Sequence, residues 1–568
     1  MSAMPLTADD LAATARAAEL AAKARAYYDA EDDFFATLNF KPLKTPPATP
    51  TETASTNSEY SSDAESEEIN EQKIAPPAAV AEAPAVKTWR EVLAPRLWSI
   101  ATLAGIYACA PFVVGSWAAV VGASRLFFGG RAARVPWNGK TALVTGGKMT
   151  KSFVICKQLK AQGCRVVLLE TSKYWMVASR FSNCVDRFAT VPVPEKDPDA
   201  FLEAVRALAV EEKADLFVPV TSPVASQYEA HVASVLPAGC RSWSLDPDEV
   251  EALDDKMQFC ASAAALGLST PEAHRIGSDD EVRAFNAKLL AGAAALEAAF
   301  ASVAAKAPGE AAPGENSKRR YIFKNLQYDS MHRLDLFTLP CAPAKLDAYL
   351  AKLKADGVTI DDANPWTAQR FVVGDEYSTC AVVADGRLLA FSDNRASLSC
   401  FNYLPARDPQ LRAWVEAFCK ARRLSGIVCI DFIVDDATGV PFAIECNPRF
   451  SSNIAAFYNN SDFGAALVAP DEVAATVEPR ADVVETYWLF SEAWAALTKP
   501  GAKLSRAAAL LSAVLFKKDA YFDVSDPLPF LGALFVHLPT LLARNVRTGN
   551  KWAKIDPCIG KLTEENGD

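Results

Sequence analysis

A chain of 568 residues, half of them hydrophobic and 22% charged, exceeds what one hydrophobic core ordinarily holds, so several packed units are expected. The net charge of −11 excludes general nucleic-acid binding, which needs a concentrated basic face to displace phosphate counterions. Thirteen scattered cysteines with no CxxC pair and only four histidines argue against a zinc site or a disulfide framework, leaving most thiols as buried small side chains in a reducing compartment.

Residues 1–95 read as an N-terminal extension. Its first thirty residues form an Ala-rich, acid-containing helical pattern rather than the basic-then-apolar pattern of a signal peptide. Residues 41–88 cluster Pro, Ser, Thr and Glu with few large apolar side chains, a composition that predicts disorder. From Leu97 to Ser124 no charge occurs between Arg96 and Arg125, and at about 1.5 Å per residue a helix of that length reaches across a bilayer. Residues 96–130 are therefore expected to associate with membrane lipid. Pro111, with Gly105, Gly115 and Gly122 around it, leaves a kinked span, a re-entrant hairpin and an interfacial helix pair open, with a buried core helix as the plain alternative. Arginines on both flanks give no orientation.

Beyond this run, residues 138–250 alternate apolar strands (Thr141–Thr145, Arg165–Glu170, Asp215–Val220) with helical periods, which predicts a small doubly wound parallel α/β domain. The stretch 281–318 reads as a surface helix followed by a mobile loop. Residues 251–480 carry strand-like runs at Tyr321–Leu326, Trp366–Val373, Thr379–Val383, Arg387–Ser392, Val428–Val434 and Pro441–Glu445, with long helical patterns between them, giving an α+β catalytic half. The last segment, 481–568, holds two apolar runs, Leu504–Phe516 and Pro529–Ala543, too short to span and suited to pack on the core or touch a membrane surface.

The sharpest chemical signal is Asp431-Phe432 followed by Glu445-Cys446-Asn447-Pro448-Arg449. Paired as a hairpin with its turn near Asp436 and Gly439, the two runs place Asp431 and Glu445 side by side. Two carboxylates and the Asn447 amide oxygen facing one point suit a hard divalent cation shared with nucleotide phosphates. Arg449 then projects from the same strand face toward a transferred phosphoryl group. An acidic pair alone would read as a solvated hairpin surface; the added Asn and Arg at alternating positions tip the reading toward a site.

This arrangement resembles the ATP-grasp superfamily, whose final strands carry an acidic residue and an ExNxR signature. Further pieces follow in matching order: Asp254-Asp255-Lys256, Lys324 at a strand end, and Gln369 through Glu376. The resemblance implies that Lys256 and Lys324 contact nucleotide phosphates, that Gln369, Arg370, Phe371 and Val372 form the hinge around adenine, and that Glu376 binds the ribose. It implies catalytic roles for Arg449 and Lys324, metal ligation by Asp431, Glu445 and Asn447, and ATP with magnesium, or manganese in its place, as cofactors. At the hinge, Gln369-Arg370 departs from the acid-then-lysine pair of many members.

A narrower set of motifs looks like the mycosporine-glycine synthase family, from about residue 95 to the C-terminus: Thr145 to Lys151, Lys173-Tyr174-Trp175, Arg180 to Asn183, Val218 to Ser226, Leu253 to Lys256 and Tyr328-Asp329-Ser330. That resemblance implies a ligase that phosphorylates an enolic oxygen of 4-deoxygadusol and joins glycine to it, with Tyr328 through Arg333 covering the phosphates. After Arg449 the chain reads Phe450-Ser451-Ser452-Asn453, a departure that keeps open an ATP-grasp carboxylate–amine ligase with another substrate pair. A catalytically silent nucleotide-binding scaffold on a membrane is the third reading. The partners expected are a small-molecule substrate, an amino acid and membrane lipid through residues 97–128, with no nucleic acid. The expected location is a membrane, with the catalytic half in the cytoplasm or the membrane being that of an organelle.

Overall fold

A computed structural model describes residues 89–128, 135–220, 223–304, 320–326, 332, 335–396, 402–498, 503–556 and 558–564. The expected disorder of residues 41–88, the loop after residue 304 and most of Tyr328–Arg333 fall outside the described residues.

The uncharged run does not form one straight helix. It is split into α1 (Trp89–Ala108) and α2 (Ala110–Phe128), bent by 42° at Cys109. Pro111 explains the break: with no amide hydrogen it is tolerated in the first turn of a helix but not in its interior, so α2 starts just before it. No single helix among the described residues is long and apolar enough to cross a membrane, although the bent pair Leu93–Ala108 and Ala110–Ser124 meets that length and composition together. The pair is not a buried core helix either. Leu97 is 55%, Phe112 79% and Leu126 84% exposed, while the other side packs through Trp98 on Trp552 at 6.3 Å and through the Ser99 hydroxyl donating to Asn545 at 2.8 Å.

The first folded unit is the expected parallel sheet. β1 (Thr141–Val144), β2 (Arg165–Thr171), β3 (Arg187–Val191), β4 (Leu216–Val218) and β5 (Arg241–Ser242) lie in the order β3-β2-β1-β4-β5, all pairs parallel. Because side chains alternate across a strand, Ala142, Val144, Val166 and Leu168 enter one core with Phe153 and Ile155 of α3 (Thr150–Ala161). Leu143, Val167 and Leu169 enter another with Phe201 and Val205. Helices on both faces account for the near-continuous apolar runs of these strands.

Two antiparallel four-stranded sheets follow. β6 (Ala273–Ile276), β7 (Tyr321–Asn325), β8 (Thr338–Leu339) and β9 (Trp366–Arg370) take the order β6-β9-β7-β8. β10 (Gly374–Ala384), β11 (Arg387–Arg395), β12 (Gly426–Asp435) and β13 (Pro441–Asn447) take the order β11-β10-β12-β13. The first of these sheets packs on its own core, centred on Tyr321, Phe323, Leu346, Leu350 and Trp366. The second is sandwiched: Ala381, Val383, Val428, Ile430 and Phe432 face Trp414 and Phe418, whereas Cys380, Val382, Ile427 and Cys429 share the core of α3. That shared core also takes in Tyr521, Phe530, Leu534, Leu538, Leu541 and Leu542, so the second apolar run of the C-terminal segment packs on the protein. The first run, helix Lys503–Phe516, instead exposes Leu511, Val514, Leu515 and Phe516.

Candidate active site

The hairpin of β12 and β13 carries the expected register, with Asp431 opposite Glu445 and Cys429 opposite Asn447. A bulge between Asp431 and Phe432 falls where the chain must aim both carboxylates at one point. Ser378 lies opposite Asp431 on β10, and Glu376 is two residues earlier on the same strand. Glu376, Ser378, Asp431 and Glu445 thus form a polar line across three strands.

Two lysines close over this line from outside the sheet. The segment Leu253-Asp254-Asp255-Lys256 is the junction of two helices, α4 (Pro247–Asp254) and α5 (Lys256–Ala265). Asp255 leaves helical geometry and its carboxylate accepts the amides of Met257 and Gln258, capping α5. The break turns the residues on either side of the cap toward β13. Lys256 lies 3.6 Å from the Glu445 carboxylate, and Arg449 donates to Asp254 at 2.7 Å. Arg449 also donates to the Asn447 amide oxygen at 2.5 Å, and Asn447 in turn donates to Asp431 at 3.1 Å. From the other sheet, Lys324 at the end of β7 comes close enough to feel Glu445, Lys256 and Glu376.

The electrostatics follow from this crowding. Burial and the adjacent Glu445 drive the Asp431 carboxyl well above its ordinary range. Glu445 experiences the same burial, but Lys256 and Lys324 outweigh it and hold its pKa at about 2. Glu376 is raised by burial and by Glu445, and Lys324 is lowered by burial and by Lys256. Glu445 nonetheless keeps 31% of its side-chain surface exposed, so the group sits in an open cleft between the two sheets rather than in a sealed core.

The hinge residues are divided. Gln369 is buried and its amide points to the Ile444 carbonyl at 3.4 Å, a contact that ties β9 to β13. The Arg370 and Phe371 amides donate to the carbonyls of Glu272 and Arg320, so both are engaged within the protein. Phe371 to Val373 form the crossing between the sheets, and Gly374 ends it where a Cβ would meet the Val434 oxygen at 1.8 Å; only glycine fits there. Of the expected phosphate-covering loop, His332 is described and lies 3.3 Å from Asp356. At the Gly146-Gly147 turn, the Lys148 amide already donates to Glu170 at 2.8 Å.

Three polar residues of the site were not singled out from the sequence. Asp254 holds Arg449, Ser378 hydrogen-bonds Asp431, and Lys151 of α3 donates to the carbonyl of Phe450, the residue after Arg449. Asp254 and Lys151 stand inside motifs quoted above, but nothing in spacing alone says that a helix junction or a separate domain will meet β13.

No protein-family model matches this chain, and no curated protein sequence matches it. Among solved structures it is similar to N5-carboxyaminoimidazole synthetase from Staphylococcus aureus complexed with ADP, at 12% identity over 59% of this chain and 78% of that one, with a TM-score of 0.40. It is also similar to the biotin carboxylase domain of Hydrogenobacter thermophilus 2-oxoglutarate carboxylase in complex with MgADP, at 12% identity over 59% and 71% of the two chains, with a TM-score of 0.40. Biotin carboxylase from Campylobacter jejuni matches at 11% identity over 57% and 70%, with a TM-score of 0.39. These likenesses are remote; the functional reading rests on the strand register and side-chain contacts of the cleft.

Proposed function

We propose that this chain is an ATP- and magnesium-dependent ligase of ATP-grasp type, which phosphorylates a substrate oxygen and joins the substrate to an amine. The observation that carries this reading is the convergence of Asp431, Glu445 and Asn447 on one strand pair, and of Arg449 just beyond it, with Lys256, Lys324 and Glu376 in the same cleft. Two carboxylates forced together, with burial and Glu445 pushing the Asp431 carboxyl above its ordinary range, form a pair that a divalent cation would relieve. Among the described residues no group of three or more His, Cys, Asp or Glu is arranged to hold a metal. An ion at this pair would be held by Asp431, Glu445 and the Asn447 oxygen, which here accepts from Arg449, together with nucleotide phosphates.

When bound, Mg-ATP supplies the γ-phosphoryl group that turns a poor oxygen leaving group into phosphate. The chain's own residues supply position and charge. Lys256 and Lys324 neutralise phosphate oxygens, Glu376 receives the ribose hydroxyls, and Arg449, held by Asp254 and Asn447, meets the developing charge. Lys256 already lies against Glu445, so on binding it would give up this carboxylate for a phosphate oxygen and leave Glu445 to the ion, which would limit the cost of assembling the site.

The substrate pair is proposed as 4-deoxygadusol and glycine, giving mycosporine-glycine, on the chain-wide motif resemblance. Full-length protein should release phosphate from ATP only when both are supplied. Phosphate release with other carboxylate–amine pairs and not with this one would move the assignment to a different ligase; a failure to bind ATP at all would end the reading. The exposed apolar faces of α1 and α2 support membrane association as the location.

A further inference from the structure

The bent pair α1–α2 lies lengthwise on the protein. Arg96 donates to the Arg547 carbonyl at 3.1 Å, Ser99 to Asn545 at 2.8 Å, Tyr107 to the Phe535 carbonyl at 3.4 Å and Trp117 to the Pro527 carbonyl at 3.1 Å. As one residue number rises its partner's falls by nearly the same step. The uncharged run therefore follows, antiparallel, the helical stretch built of Leu528–Gly532, Ala533–His537 and Leu538–Thr548. Between these fixed points Leu103, Ile106, Val113 and Trp117 pack inward. The far side of the same stretch is closed. Phe530, Leu534, Leu538, Leu541 and Leu542 are buried in the core shared with α3, and a Cβ on Gly532 would stand 2.7 Å from the Phe181 ring.

A run of this length and composition can span, fold back as a re-entrant hairpin, or lie in the interface, and the register separates the three. A span would break all four hydrogen bonds, take Trp98 off Trp552 and remove the Ser99 hydroxyl from buried Asn545, or else draw the stretch beneath it out of a sealed core. A re-entrant hairpin needs its arms to double back, whereas the bend here is 42°. An in-plane pair keeps every inward contact and turns one face outward. That face presents Leu97, Ile100, Phe112, Val114, Val120 and Leu126. Between Leu97 and Ala123 the exposed hydroxyls are those of Tyr107, which is bonded inward, and Ser116. A protein partner would find almost nothing there for the hydrogen bonds of an ordinary interface, roughly one per 100–200 Å². Charge favours lipid as well: from Lys87 to Lys140 the sequence holds seven Lys and Arg against one acid, in a chain of net charge −11, the sign that complements an anionic lipid surface.

We infer that residues 97–124 attach the protein to a single leaflet of an anionic bilayer, with α1 and α2 lying in the interfacial plane and neither crossing it. The inference rests on the membrane association proposed above and supplies its topology and its lipid class. Both ends of the run stay on the side of the catalytic cleft. Cys109, at the bend, sits near the headgroup–acyl boundary, whereas in a span it would reach the bilayer centre.

Cys109 is an exposed free thiol, so it reports depth without an added cysteine. Full-length protein carrying a thiol-linked fluorophore is mixed with sealed vesicles of phosphatidylcholine, alone or with phosphatidylserine. The vesicles carry a nitroxide quencher either high on the acyl chain or near its end, and Cys109→Ser treated alike gives the blank. The protein should bind the anionic vesicles at least about tenfold more tightly than the neutral ones, an advantage that shrinks as salt is added. The shallow quencher should dim the label more than the deep one, as for a group about 5–10 Å into the boundary rather than about 15 Å down, half the hydrocarbon thickness. Stronger dimming by the deep quencher would overturn the in-plane topology while membrane association stands. Binding with no dimming at either depth would overturn it by placing the lipid contact elsewhere, and equal affinity for both vesicles would overturn the anionic preference. Absence of binding to either vesicle would overturn the membrane association itself and leave the face to a protein partner.

Discussion

At the scale of single residues the cleft is a set of charges that neutralise one another while awaiting a ligand. Glu445 is the pivot, since it lies 3.6 Å from Lys256, is held low by Lys256 and Lys324, and with burial pushes the Asp431 carboxyl above its ordinary range. Glu445→Ala should reduce turnover by roughly a thousandfold, the loss of several kcal/mol of metal-mediated stabilisation. It deletes no core volume but leaves Lys256 and Lys324 without the carboxylate that they hold, so the melting temperature should fall by a few degrees while the fold persists. Turnover like that of wild type would place the metal elsewhere. Asp254 acts one step further out, as a positioning residue for Arg449 at 2.7 Å. Asp254→Ala leaves that guanidinium with the Asn447 oxygen alone, so kcat should fall about ten- to a hundredfold, a charged hydrogen bond's worth. The KM for ATP should move less, and Asp254→Asn, which still accepts a hydrogen bond, should recover part of the loss. A variant in which KM alone rises would mean that Asp254 serves nucleotide binding instead.

At the scale of elements, legibility followed the distance over which the physics acts. The hairpin register was readable because a two-residue side-chain period and a Gly439 turn fix it locally, and Asp431 does oppose Glu445. The three central strands of the parallel sheet are readable from buried apolar runs, unlike its two edges: β3, whose Arg187-Phe188-Ala189-Thr190-Val191 sequence is half-buried, and β5, only two residues long. The helix break at Cys109 was foreshadowed by Pro111. What could not be read was long-range contact: the Gln369 amide lies 3.4 Å from the Ile444 carbonyl on β13, and Lys151 meets the Phe450 carbonyl, just past β13, from 299 residues away. The C-terminal hairpin, in which Trp552–Asp556 pairs antiparallel with Lys561–Glu564, shows the same limit. Gly560, at φ +64°, comes so close to the Gly146-Gly147-Lys148 turn that a Cβ would stand 2.1 Å from the Lys148 oxygen, and its carbonyl accepts from buried His537 at 3.1 Å. Gly560→Ala should therefore destabilise the protein by several kcal/mol, combining backbone strain with a clash. Burial lowers the pKa of His537 to about 4 from 6.5. The folded state thus resists a proton that the unfolded chain accepts, so this contribution is complete above pH 6.5 and is lost as pH falls toward 4, by roughly 3 kcal/mol. Denaturant titrations across that window should show a weaker acid dependence in His537→Gln than in wild type; identical slopes would mean that the imidazole is charged in the fold.

At the scale of the whole molecule, the catalytic half and the helix pair α1–α2 are joined by contacts that make a simple deletion ambiguous. Removing residues 97–128 would strip Trp98 from Trp552 and leave buried Asn545 without the Ser99 hydroxyl, so a change in the partitioning of the remainder would have causes unconnected with lipid. The exposed face offers a cleaner experiment. Leu97, Phe112 and Leu126 belong to the large apolar side chains that the fold leaves open, and each such side chain buried in lipid contributes about 1.5–3 kcal/mol. Three charges in their place would oppose insertion by a comparable or larger amount each. If this face holds the protein on a membrane as proposed, the triple variant Leu97→Glu, Phe112→Glu, Leu126→Glu moves the protein from the membrane pellet to the supernatant. Its melting temperature and ATP turnover should stay unchanged, because none of the three contributes to the contacts with Trp552 or Asn545. Retention in the pellet with an intact fold would assign the apolar face to a protein partner rather than to lipid, and would leave the chemistry of the cleft untouched.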